Sequence, residues 1–177
     1  MRYSWRNRMF LGIDQSFTSA GYCIIDDRGE VVRFGTCKTN KTEGDIFDRS
    51  HMVSKFMVDL ILEIKPTLIG LEGLAFGGVG NATRDLAGLQ HVLVTRIRYG
   101  TQFGDNLVIV PPTDLKKCAT GKGKAKKEDM AAALPEQLKC DILEKNYRKS
   151  TGLYDIADAY WIAQYILNKN RTIHAHK

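Results

Sequence analysis

Apolar residues follow two rhythms along this chain, and the switch between them marks its elements. Short continuous runs come first. Met9-Phe10-Leu11-Gly12-Ile13 ends on Asp14, and Tyr22-Cys23-Ile24-Ile25 ends on Asp26. Val31-Val32-Arg33-Phe34-Gly35-Thr36 follows the tight turn Asp27-Arg28-Gly29. Runs this short, bounded by turn residues, predict strands, and three in close succession predict an antiparallel meander. From Gly44 the period lengthens. Ile46, Val53, Met57, Leu60 and Ile64 share one helical face, and Lys65-Pro66 stops that helix. Thr67 to Leu71 reads as a fourth strand, and 75–80 as a glycine-rich mobile segment. Asn81 caps a helix to about Tyr99. Leu107 to Val110 is a fifth strand, stopped by Pro111-Pro112. Thr113 or Asp114 caps a short helix, and another spans about 126–133. Pro135 marks a break, and a final helix runs from about Gly152 to Asn168.

The resulting order, β-β-β-α-β-α-β-α-α, predicts an α/β fold with a mixed five-stranded sheet and helices on both faces. Right-handed crossovers can set the fourth strand beside the first. Asp14 and Glu72 then end neighbouring parallel strands at one edge, the place where open α/β sheets bind substrates. A length of 177 residues suits a single domain over 1–177, with a basic N-terminal extension at 1–8 and a fraying tail at 169–177.

Composition narrows the function classes. No apolar run approaches the ~18 residues of a membrane span, and the basic N-terminus lacks the pattern of a secretion signal. Cys23, Cys37, Cys118 and Cys140 form no CxxC pair. They read as reduced, mostly buried thiols of a cytoplasmic protein, with no zinc site. The net charge of +6 fits a polyanionic partner, and its distribution says more than its size. Lys116, Lys117, Lys122, Lys124, Lys126 and Lys127 fall within twelve residues. Such a run usually means a solvated helical face. Gly121 and Gly123 argue against that here, because they let backbone approach a phosphate. The segment lacks P-loop spacing.

Four acids carry the chemistry. Asp14 and Glu72 close apolar strands; Asp155 and Asp158 lie three apart on the last helix, beside its stripe Leu153, Ile156, Tyr160 and Leu167. Singly, each acid has an ordinary reading as a strand-end cap, a turn carboxylate or a helix N-terminal charge. Jointly they cannot all stay charged without cations, and the natural partner is a hard divalent ion with oxygen ligands. That points to metal-assisted phosphoryl chemistry on nucleic acid.

At these residues the chain resembles the RuvC-type Holliday junction resolvases of the ribonuclease H-like superfamily, from about Phe10 to about Gln164. Leu11-Gly12-Ile13-Asp14 is similar to that family's first strand and catalytic Asp. Ile69-Gly70-Leu71-Glu72 is similar to its catalytic Glu, and Asp155-Ile156-Ala157-Asp158-Ala159 to its closing D-x-x-D-A helix. Gly121-Lys122-Gly123-Lys124-Ala125-Lys126-Lys127 is similar to its basic G-x-G-x-A-x-K segment. Two departures mark a divergent branch of phage or mobile-element kind. Gln15-Ser16 stands where the family has Pro-Gly, and the glycine-rich segment after Glu72 is longer. Phe76 is the candidate for the aromatic that the family wedges into a junction.

The resemblance implies a ribonuclease H-like fold and a structure-selective endonuclease that nicks Holliday junctions in pairs, leaving 5′-phosphate and 3′-hydroxyl ends. Asp14, Glu72 and Asp155 or Asp158 would bind two Mg²⁺ (or Mn²⁺) ions, with no small-molecule cofactor. Lys116 and Lys127 match the family's functional lysines, Lys127 as part of the catalytic set. Lys116, Lys117, Lys122, Lys124, Lys126, Lys127 and Phe76 would contact DNA. A homodimer would supply two sites for paired cuts. Competing readings are a nuclease of the same fold acting on forks, flaps or RNA–DNA hybrids, and an inactive module that only binds branched DNA. An actin-like kinase shares the sheet but needs a longer chain and phosphate loops absent here.

Overall fold

The computed structural model describes residues 8–74 and 80–175. A five-stranded sheet forms its centre. The strands are β1 (Phe10–Asp14), β2 (Ser19–Ile25), β3 (Val31–Lys38), β4 (Leu68–Glu72) and β5 (Leu107–Val110). Their order across the sheet is β3-β2-β1-β4-β5. β1, β2 and β3 pair antiparallel, whereas β1–β4 and β4–β5 pair parallel. The expected mixed sheet is therefore present, with β4 beside β1. Asp14 and Glu72 end these two central strands on the same side.

Alternation along β1 divides the core. Leu11 and Ile13 join Val53, Met57, Leu89 and Leu93, from α1 (Ile46–Ile64) and α2 (Asn81–Gly100), on one face. Phe10 joins the opposite face, where α6 (Leu153–Ala175) lies across the sheet. Each face buries a continuous apolar layer, which is the main source of stability for a sheet covered on both sides.

Close approach of α6 depends on missing side chains. A Cβ on Gly12 would stand 2.0 Å from the Ala159 carbonyl oxygen. A Cβ on Gly21 would stand 2.2 Å from the Asp155 carbonyl oxygen. Gly21 pairs with Asp14 across the sheet. The two glycines thus let the first turns of α6 settle beside the end of β1, carrying their acids to it. α6 is buried far beyond the expected stripe, with Ala157, Asp158, Ala159, Ile162, Ala163 and Ile166 also inside.

Several local expectations need correction. Asn81 is the first helical residue of α2 rather than its cap; Gly80 holds the cap position. α3 (Pro112–Thr120) begins after Pro111, with proline in its first turn, so neither Thr113 nor Asp114 caps it. Proline suits that position because the first helical N–H groups have no partner anyway. The same logic explains α5 (Glu136–Glu144), a helix that starts directly after Pro135 where only a break was expected. α4 (Lys127–Ala132) is shorter than expected. α6 continues to Ala175, with Asn170 buried, so the expected fraying tail is helical over 169–175. Only Cys23 among the four cysteines is buried, and Cys140 is exposed. Residues 1–7 of the basic extension and the segment 75–79 lie outside the described residues. No described helix is long and apolar enough to cross a membrane.

Candidate active site

The four acids meet at the C-terminal ends of β1 and β4. Asp14 is 6% exposed and Asp158 is 4% exposed. Asp14, Glu72 and Asp155 line a groove of about 1040 Å³, and Glu72 and Asp158 line an adjoining hollow of about 510 Å³. Burial raises the Asp14 pKa well above the ordinary carboxylate range, and the charges of Asp158, Glu72 and Asp155 raise it further. Glu72 is also raised by burial, opposed by a hydrogen bond with Asp14 and by the ammoniums of Lys127 and Lys116. Burial pushes Asp158 up to about 6, despite the nearby Lys127.

Lys127 opens α4 and holds its ammonium 3.5 Å from the Asp158 carboxylate. Desolvation pulls the Lys127 pKa down, but Asp158, Asp14, Asp155 and Glu72 together outweigh it and leave it raised. Lys127, half-exposed, is thus held by the charge of all four acids. Among the described residues, no three acids, histidines or cysteines are gathered into a ready-made ion cage. Of three buried side-chain oxygens left without partners among the described residues, two, Asp158 Oδ1 and Gln15 Oε1, belong to this site. Buried acceptors of this kind are costly unless something cationic or protic meets them. With four carboxylates and an unpartnered buried carboxylate oxygen, the site fits a hard divalent cation. Asp14, Glu72, Asp155 and Asp158 are the residues that would hold it.

Sequence reading missed the groups that fix Glu72. The Gln90 side-chain amide donates to the Glu72 backbone carbonyl at 2.8 Å, and Gln15 donates to the same oxygen at 3.2 Å. Gln15 is 6% exposed. Two donors on one carbonyl hold the end of β4 beside β1. No side-chain pattern signals this, because the shared acceptor is backbone. Arg49 is a second omission. It donates to the Thr39 hydroxyl at 2.9 Å and the Phe17 carbonyl at 3.0 Å, shaping the far wall of the groove.

The basic segment is split by the fold. Lys116, Lys124, Lys126 and Lys127 line the smaller hollow. Lys117 and Lys122 line neither cavity and stand exposed. Gly121 has a φ of 74° and closes α3 in the left-handed region, which glycine adopts without strain. This reversal brings Lys124 to Lys127 back toward the acids. Phe76 lies outside the described residues.

Acids on two central parallel strands and on the closing helix, with a lysine set beside them, form a pattern that known proteins share. The family model for crossover junction endodeoxyribonuclease RuvC matches residues 10–164. The chain belongs to the RuvC family. Relatives of the same description include one from Synechococcus sp. (strain WH7803), 27% identical over 130 residues, spanning 72% of this chain and 82% of the relative. Another, from Chlorobaculum parvum, is 26% identical over 171 residues, spanning 94% and 84%. Among solved structures, Thermus thermophilus RuvC in complex with Holliday junction substrate matches with a TM-score of 0.70 and 16% identity, over 93% of this chain and 96% of that one. The yeast mitochondrial Holliday junction resolvase matches with a TM-score of 0.62 and 16% identity, over 93% and 80%. At such identities the structures establish the shared fold. The family is one of endonucleases, and the motifs read from Asp14, Glu72 and Asp155–Asp158 fall within the matched range.

Proposed function

We propose that this protein is a structure-selective DNA endonuclease that resolves Holliday junctions by metal-dependent paired nicking. The observation that carries the reading is the placement of Asp14 and Glu72 on neighbouring β1 and β4, with Asp158 and Lys127 closing over them, in a RuvC-family chain. Dependence on divalent metal is general to RuvC-type nucleases. Asp14, Glu72, Asp155 and Asp158 would hold two Mg²⁺ or Mn²⁺ ions, which activate water and neutralise charge on the leaving oxygen when bound.

The remaining work belongs to the chain itself. Strand ends hold the Asp14 and Glu72 backbones rigid, and Gln15 and Gln90 prevent the Glu72 carbonyl from shifting. Lys127 screens Asp158 and directs a cation toward the phosphate that enters the groove. Lys116, Lys124 and Lys126 fix backbone phosphates on the β5 side of the acids. A four-way junction presents two symmetric strands, so a C₂ homodimer supplies the second cut. The reaction would take place in the cytoplasm, where bacterial or phage DNA recombines.

The test is cleavage of a labelled immobile four-way junction with Mg²⁺, with EDTA, and with an Asp14→Asn variant. Symmetric nicks with 5′-phosphate ends, lost in EDTA and in the variant, are expected. Preferential cutting of forks, flaps or RNA–DNA hybrids would move the substrate within the fold. Junction binding with no cutting under Mg²⁺ or Mn²⁺ would overturn the nuclease reading.

A further inference from the structure

The acids have a basic flank on each side, and only one of them lies in the lysine-rich segment. Strand order puts Asp14 and Glu72 at the centre of the sheet, with α3 and α4 following β5 at one edge. At the other edge β3 ends on Lys38, on the same side of the sheet as Asp14. The register shows this directly, since Asp14 pairs with Gly21 and Gly21 pairs with Thr36. The loop between α5 and α6 packs against that strand end. A Cβ on Gly152 of this loop would stand 2.8 Å from the Thr36 side chain.

Four exposed cations gather at this corner: Lys38, Lys145, Arg148 and Lys149. Two of them sit on aromatic rings. The Lys145 ammonium lies 4.4 Å from the Phe34 ring centroid, and the Lys38 ammonium 5.9 Å from that of Tyr147. The rings themselves pack 6.4 Å apart. Arg148 donates from Nη1 to the Leu143 and Tyr147 carbonyls at 3.1 and 2.9 Å. That anchors the guanidinium while leaving its other N–H groups for a ligand. Among the described residues none of the four is ion-paired. Glu144 is the single acid between residues 143 and 150. The corner runs into the active-site groove by two routes, through Thr39, Asn40 and Lys41, which line it, and through the start of α6 to Asp155.

We infer that Lys38, Lys145, Arg148 and Lys149 form a second DNA-backbone surface, which holds the junction arm leaving the groove on the β3 side. This rests on the proposed junction-cutting function. Exposed cations, three of them resting on rings or carbonyls, unpaired among the described residues and continuous with the groove, suit a line of phosphates better than an acidic protein surface with its own shape requirements. Two strand spacings across and two residues along put Lys38 about 12 Å from Asp14. At ~3.4 Å of rise per nucleotide that is about three nucleotides from the scissile phosphate.

The test combines protein and DNA changes. Binding of a four-way junction is measured in EDTA over a salt series, for the wild type and for Lys38→Gln/Lys145→Gln/Lys149→Gln. A thermal melt reports folding. The single Lys149→Gln, which rests on no ring, keeps the test open if the triple variant unfolds. The triple variant should bind about tenfold or more weakly, and its slope of log K against log salt should shrink by about 2–3, or ~0.9 per lost phosphate contact. Lys169→Gln, near the far end of α6, should match the wild type. Neutral methylphosphonate linkages roughly two to four nucleotides from the cut should weaken the wild type but not the triple variant. A folded triple variant with wild-type affinity and slope overturns the second surface alone. A wild type that neither binds nor cuts junctions overturns the proposed function with it.

Discussion

The centre of the site and its flanks are built on opposite principles. At the centre, Asp14 and Asp158 are buried, their backbones belong to a core strand and a core helix, and Gly12 and Gly21 admit the helix only because they lack side chains. At the flanks, Lys122, Lys124 and Lys149 are exposed. The difference teaches where the molecule spends its stability. Positioning acids against one another opposes Coulomb repulsion and desolvation, so it needs a rigid frame. Attracting a polyanion needs only net charge at the right edge, and exposed lysines supply it.

Four changes break or sharpen that contrast. Glu72→Gln should have the largest effect, lowering the single-turnover cleavage rate by about 10³-fold, or ~4 kcal/mol of barrier, with junction affinity in EDTA retained. A rate within tenfold of the wild type would remove Glu72 from the centre. Gly12→Val should act on the frame. Its side chain would collide with the Ala159 carbonyl, and urea denaturation should show a loss of about 3 kcal/mol or more.

The third change is pH. The folded Asp158 pKa is about 6, above its unfolded value of 3.8. Its contribution to metal-free stability is therefore fully present below about pH 4 and lost as pH rises through about 6. Asp14 is shifted in the same direction. The urea midpoint in EDTA, followed from pH 4 to 7, should fall more in the wild type than in Asp158→Asn. Equal slopes would mean that Asp158 titrates like a surface acid. The smallest effect belongs to a single flank residue. Lys124→Gln should weaken junction binding only a few-fold and lower the salt slope by about 1.

Much of this was legible in the sequence. The strand runs, the antiparallel meander, the crossover that sets β4 beside β1 and the four acids all follow from local pattern and chain order. Local pattern failed at Pro135, which was read as a break although it stands at the cap of α5. It failed again along α6. Ala157, Ala159 and Ala163 give no strong apolar signal, yet they are buried because small residues let the helix lie flat on the sheet.

What the sequence determined by itself is the set of chemical groups and the strand order that carries them, because hydrophobic period and crossover handedness are local rules. Only the tertiary structure decided which groups share a space. Gln15 and Gln90 meet on one backbone carbonyl, Lys127 reaches Asp158 across the gap between α4 and α6, and Lys38 joins Lys145 from a distant loop. These contacts join residues far apart in the chain through packing of the whole core, and no short-range pattern encodes them.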